Sequence, residues 1–287
     1  MTRNRRPGPS TRVRVHEHVD DRVRHREDRL ATEEPLEIRL ASPGIAARRV
    51  AVTMRTPGHD FELATGFLHA EGVLAGADDL HTVAYCTDHT LTPEQQYNVV
   101  TVELARAPRR EPAVRYDGPT AGSSACGVCG TESIDDVMAL GHAASCATAW
   151  PGLRVSPAVV RVLPDRLRTQ QRVFDSTGGL HAAGLFDADG EMLVVREDIG
   201  RHNAVDKVVG ARLLGGDPPS AALLCVSGRI GFEIVQKAVA AGVGVLVAVG
   251  APSSLAVDLA QRAGLCIVGF AGRARFVTYA LPERIGV

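Results

Sequence analysis

Apolar and polar residues alternate at Leu36, Ile38 and Leu40, again at Val50 and Val52, and along Tyr97, Val99 and Thr101, the two-residue period of half-buried strands. Between them, Asp60 precedes Phe61, Ala64, Phe67 and Leu68, whose spacing places them on one face of a helix that Asp60 can cap. A small α+β unit is the expected result. The stretch 106–124 is rich in Pro, Gly and Arg and reads as a loop or hinge. It leads to Ala125-Cys126-Gly127-Val128-Cys129-Gly130, after which Ser133 with Asp136 forms a capping-box pattern ahead of Ile134, Val137, Met138 and Leu140. The cysteines therefore precede a predicted helix N-terminus.

From residue 151 the pattern is more regular. A helix is expected over 163–174 and strands over 182–186 and 192–195, with Asp187-Ala188-Asp189-Gly190 as the turn between the strands. Helix and strand then alternate over 203–214, 221–226, 232–241, 243–249, 254–263 and 265–270. Because the last three strands are almost wholly apolar, they predict a largely parallel sheet covered on both faces. The fold class is α/β, divided into a mobile Arg-rich tail over 1–30, a small α+β domain with the cysteine loop over 31–150, and a larger α/β domain over 151–287. The tail is assigned because its arginines and acids show little apolar period with which to bury surface.

Composition narrows the function. Lys plus Arg number 32 against 33 Asp plus Glu, so no global basic field attracts nucleic acid and any anionic ligand has to be met locally. The first residues contain no apolar signal core, and the run 238–251 is broken by glycine and short of the roughly 18 residues a membrane helix needs, so neither export nor a membrane segment is expected. Six cysteines with one close pair, in a chain of 287 residues, suit a reducing cytoplasmic compartment.

The pair Cys126 and Cys129 carries the first candidate chemistry. Thiolate is the reactive form of cysteine, and a helix N-terminus stabilises its charge. Gly127 and Gly130 leave the sulfurs open to a bulky partner. Zinc binding competes with sulfur or redox chemistry here, since Cys129, His142 and Cys146 extend the pair to C-x2-C-x12-H-x3-C. A second candidate lies in the later half. Ser176-Thr177-Gly178-Gly179-Leu180-His181 and Ser227-Gly228-Arg229 are small-residue turns, the latter directly between a buried strand and a helix, where free amides bind anions. Arg201, Arg229, Arg273 and Arg275 could line the rim at the carboxyl ends of the strands, although such turns also serve simply as turns. His202, Asn203 and Asp206 could form a site but read first as ordinary helix-start hydrogen bonding.

Taken together, Cys126-Gly127-Val128-Cys129-Gly130, Thr177-Gly178-Gly179-Leu180-His181, the run Arg196-Glu197-Asp198-Ile199-Gly200-Arg201-His202-Asn203-Ala204-Val205-Asp206-Lys207, and Ser227-Gly228-Arg229 closely resemble the FdhD family of formate dehydrogenase accessory sulfurtransferases. The resemblance extends from about Glu34 to the C-terminus. It implies a persulfide relay in which a cysteine desulfurase loads sulfur on Cys126, with Cys129 as helper. The sulfur then passes to the Mo-bis(molybdopterin guanine dinucleotide) cofactor of formate dehydrogenase. By the same resemblance the cofactor-contacting segment falls on Phe270, Ala271, Gly272, Arg273, Ala274 and Arg275, joined by Ser227, Gly228, Arg229 and His202. It also implies a homodimer and a cytidine-deaminase-like, three-layer C-terminal domain without the deaminase zinc ligands. Two other readings of the residues stay open: a cofactor-binding chaperone without sulfur transfer, and a zinc-stabilised structural module.

Overall fold

The computed structural model describes residues 6–87, 91–92, 95–112 and 149–286. The cysteine loop and the helix expected after it lie outside these residues. The segment read as a mobile tail instead forms an antiparallel ribbon of β1 (Ser10–Val19) and β2 (Arg22–Ala31), turned at Asp20, which takes the left-handed conformation at φ 51°. Composition misleads here because the ribbon buries little. Its backbone ladder is supported by cross-strand and neighbouring charges, Arg26 with Glu17 at 2.8 Å and with Asp28 at 3.1 Å. The Thr32 N–H donates to Pro9 O at 3.0 Å and closes its base.

A four-stranded sheet follows, ordered β4-β3-β6-β5. It consists of β3 (Glu34–Ser42), β4 (Ile45–Arg55), β5 (Leu80–Tyr85) and β6 (Val99–Leu104), with β3 and β6 parallel at its centre. Leu36, Ile38 and Leu40 point inward, as their alternation requires. Helix α1 (Asp60–Ala70) begins after His59, whose left-handed backbone makes it the N-cap, so Asp60 is not the cap expected. Asp60 is buried against the guanidinium of the equally buried Arg55, with oxygen–nitrogen distances of 3.0 and 3.2 Å, and it accepts the Tyr85 hydroxyl at 2.8 Å.

In the second half the expected single helix over 163–174 is two helices, α2 (Pro157–Arg168) and α3 (Arg172–Thr177). Ser156 caps the first, accepting the Ala158 N–H at 3.2 Å, and Pro157 occupies its opening position. A six-stranded sheet is ordered β12-β11-β10-β9-β7-β8. Its strands are β7 (His181–Phe186), β8 (Met192–Asp198), β9 (Leu223–Val226), β10 (Val245–Ala248), β11 (Cys266–Gly269) and β12 (Val277–Ala280). Only β9, β10 and β11 run parallel. The flanking strands are antiparallel because the short connections after β7 and β11 are hairpin-sized, whereas a parallel crossover needs a dozen residues or more. The crossovers that do occur are α4 (Arg201–Leu214), α5 (Phe232–Ala240) and α6 (Ser254–Ala263).

One apolar cluster spans both halves. Leu36, Ile38 and Val102 of the first sheet, Leu63 and Leu68 of α1, Val205 and Val208 of α4, and Leu185, Leu224 and Leu246 of the second sheet belong to it. The other face of the second sheet, with Phe186, Cys225, Val247 and Val268, packs on Val160, Leu163 and Leu167 of α2. At the centre, α1 and α4 meet backbone to backbone. A Cβ at Gly66 would stand 1.9 Å from Asp206 O, and one at Gly210 would stand 1.8 Å from Glu62 O. Glycine at both positions is what permits so close an approach.

Candidate functional site

The parallel strands β9, β10 and β11 end on one side of the sheet, where their turns are stitched together. Gly250 N–H donates to Gly228 O at 3.1 Å, Phe270 N–H to Gly250 O at 3.1 Å, and Ala271 N–H to Ala248 O at 2.9 Å. A side chain at 250 would place its Cβ 2.9 Å from Gly228 O, so the turn after β10 needs glycine, whereas a Cβ at Gly228 would make only ordinary contacts. This is the crevice in which open α/β sheets hold ligands. Gly250 escaped the sequence reading, although its position just past a buried strand is the same signal as Gly228.

Ser227 ties the first turn to β7, its hydroxyl accepting the Ala182 N–H at 2.9 Å and its own N–H donating to Ala182 O at 3.0 Å. Gly228 lies against His181 and Arg201. A Cβ there would be 3.4 Å from His181 Nδ1 and 3.8 Å from Arg201 Cδ. His202 Nε2 stands 2.9 Å from Glu233 Oε2 in the first turn of α5. The other Glu233 oxygen and Arg201 Nε are buried with no protein partner among the described residues. Burial, followed by the positive fields of Arg201 and His202, lowers the His181 pKa from its ordinary value, so its imidazole favours the neutral form. The crevice thus offers an imidazole and a guanidinium to an anionic or polar ligand.

The segment after β11 forms its far lip. Phe270 is 41% exposed in a left-handed conformation at φ 49°, and the Arg275 guanidinium lies 5.7 Å from its ring centre. Gly272 N–H closes the turn on Arg275 O at 3.0 Å; Ala271 is buried and Ala274 exposed. Arg273 is exposed and pairs with Asp165 of α2. Arg229 is exposed on the rim. The structure therefore gathers His202, Ser227, Gly228, Arg229, Phe270 and Arg275 around the strand ends. Cys126 and Cys129 lie outside the described residues, as do His142 and Cys146.

Much of the long polar run 196–207 is scaffold. Arg196 forks onto Glu62 of α1 at 2.5 and 2.7 Å. Glu197 accepts the Val173 and Phe174 N–H groups at 2.9 and 2.8 Å, capping α3 and so holding the Ser176 to His181 turn. Asp198, fully buried, accepts from Thr56 N–H at 3.1 Å, Gly200 N–H at 2.8 Å and Asn203 Nδ2 at 3.0 Å, and it pairs with Lys207 Nζ at 2.7 Å. Lys207 also donates to Thr56 O at 2.9 Å. Asp206 pairs with Lys237 at 2.7 Å inside the helical layer, and burial raises its carboxyl pKa against that pull. These residues seat Arg201 and His202 and join the second sheet to the strand-to-helix segment of the first half.

Comparison with known proteins agrees with this architecture. The model of the FdhD/NarQ family matches residues 31–286. The sulfur carrier protein FdhD of Streptomyces coelicolor is 50% identical over 269 residues, covering 93% of each chain. That of Mycolicibacterium paratuberculosis is 48% identical over 91% of this chain and 93% of its own. A crystal structure from Desulfotalea psychrophila, described as a formate dehydrogenase accessory protein, superposes with a TM-score of 0.71 over 96% of this chain and 99% of its own. At 22% identity it speaks to the fold alone. With a family model matched along nearly all its length and relatives at about half identity, this chain belongs to the FdhD/NarQ family.

Proposed function

We propose that this chain is a sulfurtransferase that accepts persulfide sulfur from a cysteine desulfurase and delivers it to the Mo-bis(molybdopterin guanine dinucleotide) cofactor of formate dehydrogenase. What carries the reading is the near-complete match to proteins named as sulfur carriers, in a chain that keeps the Cys126-Gly127-Val128-Cys129-Gly130 motif. In the loading step the Cys126 thiolate attacks the outer sulfur of the donor persulfide. The donor S–S bond breaks, the donor cysteine leaves as thiolate, and a new S–S bond forms on Cys126, with no net oxidant consumed. In delivery, an electron pair of the acceptor would form the new bond to the outer sulfur as the Cys126 S–S bond breaks and Cys126 leaves as thiolate, with Cys129 as helper.

The crevice at the ends of β9, β10 and β11 is the proposed seat of the cofactor's guanine dinucleotide. Turn amides and Arg229 meet the diphosphate, and Phe270 with Arg275 forms the lip. A β7–β8 hairpin followed by three parallel strands supports the deaminase-like reading of this half. The corresponding helix starts, Arg201-His202-Asn203 and Ser227-Gly228-Arg229, carry no zinc-ligand pattern, which suits a nucleotide pocket reused without the metal. A cytoplasmic homodimer completes the proposal; no helix among the described residues is long and apolar enough to cross a membrane.

Mass spectrometry after incubation with a desulfurase and cysteine tests the relay. The peptide containing Cys126 should gain about 32 Da, the mass of one sulfur atom. Cys225 and Cys266 should gain nothing, since burial pushes both thiols up to about 12. Equal labelling of those two, or full formate dehydrogenase maturation by Cys126→Ala, would favour a chaperone that binds the cofactor without handling sulfur.

A further inference from the structure

The β1–β2 ribbon lies outside the residues matched by the family model and has played no part in the site. On one face, the strand pairing sets Arg12 against Arg29, Arg14 against Glu27, His16 against His25 and His18 against Val23. His16 and His25 are exposed and directly opposed, their ring centres 4.4 Å apart and their planes at 89°. This spacing has a chemical meaning. An imidazole nitrogen binds zinc at about 2.0–2.1 Å, which puts each ring centre roughly 3.2 Å from the ion. Two such rings at a ligand angle of about 90–110° have centres roughly 4.5–5.2 Å apart. The observed separation is within a few tenths of an ångström of that requirement, and exposed strand side chains can make up the difference by small rotations.

We infer that His16 and His25 form a two-imidazole clamp for a borderline transition ion such as Ni2+, Cu2+ or Zn2+ on the N-terminal ribbon, with His18 able to join as a third ligand. Imidazole suits these ions, whereas Mg2+ and Ca2+ prefer oxygen. His18 is on the same face, diagonal to His25, at the roughly 7–8 Å Cα spacing that side chains can bridge. No three ligands stand preformed among the described residues, so His18 joins only by rotating, and water or another protein completes the ion's shell. Arg12, Arg14 and Arg29 share the face and oppose the added charge; Glu27, 3.9 Å from Arg12, offsets part of it. The clamp crosses the two strands, so an ion held there also pins their register.

The test is calorimetric titration of Ni2+ into the full-length chain carrying Cys126→Ser, Cys129→Ser and Cys146→Ser, which removes the thiols of the C-x2-C-x12-H-x3-C pattern. One ion per chain is expected, with affinity at least tenfold weaker in His16→Ala and in His25→Ala, and a smaller loss in His18→Ala. Amide exchange across 10–31 should slow on Ni2+ addition in the parent and stay unchanged in His25→Ala. Unaltered affinity in His25→Ala, or saturation of the parent only at millimolar Ni2+, would mean an adventitious ion only and overturn the inference.

Discussion

Replacing Gly210 by alanine is the sharpest test of the central layer. In an ordinary helix interior the change favours the helix by roughly 0.5–1 kcal/mol. Here the new Cβ would stand 1.8 Å from Glu62 O, although Cβ contacts under 3.0 Å are essentially never seen. The backbones of α1 and α4 would have to part by more than about 1 Å, and a gap of that size forfeits a quarter to a half of each contact's dispersion energy. Overpacking of this kind costs about 1–3 kcal/mol, and more where the obstacle is backbone. A net loss of about 3 kcal/mol is therefore expected, lowering the melting temperature by roughly 5 °C, since an unfolding entropy of about 2.1 cal/mol/K per residue comes to about 0.6 kcal/mol/K for 287 residues. Gly66→Ala should behave alike, because its Cβ meets Asp206 O at 1.9 Å. Thermal unfolding followed by circular dichroism measures both. A melting temperature at or above that of the parent would show that the two helices do not pack at this distance.

Lys207→Met should destabilise by about 3–5 kcal/mol in chemical denaturation, since it leaves the fully buried Asp198 carboxylate without its cation; a loss under 1 kcal/mol would mean that Thr56, Gly200 and Asn203 hold that charge unaided. For His181 the folded pKa lies below the unfolded one. Its contribution to stability is thus whole above pH 6.5 and is lost as pH falls from there through the folded value; imidazole proton shifts should show a midpoint below 6.5 that climbs in Arg201→Gln. GDP, titrated calorimetrically, should bind the parent and bind Arg229→Ala about tenfold more weakly through loss of a charge-assisted contact, whereas equal affinity would move the phosphate site away from the Ser227 to Arg229 turn.

The apolar periods told most about the second sheet. Cys225 and Val247, buried on both sides, read correctly as covered strands, and Asp187 to Gly190 as a hairpin turn, because those signals are local. Partners distant in sequence were not legible. Asp60 resembles a helix cap until Arg55 is placed beside it, and the partners that Asp198, Asn203 and Lys207 find in Thr53, Met54 and Thr56 could not be read from so far along the chain. The ribbon failed for the opposite reason. Its strands bury so little that no apolar face marks them, and the backbone ladder that pairs them leaves no mark in the sequence. Strand β5 was missed because one exposed edge leaves only Leu80, Val83 and Tyr85 partly covered. The crevice was half visible: Gly228 could be named from its place after an apolar strand, but not the approach of His181 and Arg201 to it.

The contact of Gly66 with Gly210 bears on how sulfur could reach the crevice. Helices locked carbonyl to Cα by two small residues have no room to slide, and Asp198, Asn203 and Lys207 nail the same seam from the side. The two sheets therefore act as a single anvil, and rotation of one against the other is not available as a working stroke. Any travel that sulfur transfer requires is then to be sought outside this seam, and the crevice proposed above as the cofactor's seat would stay still.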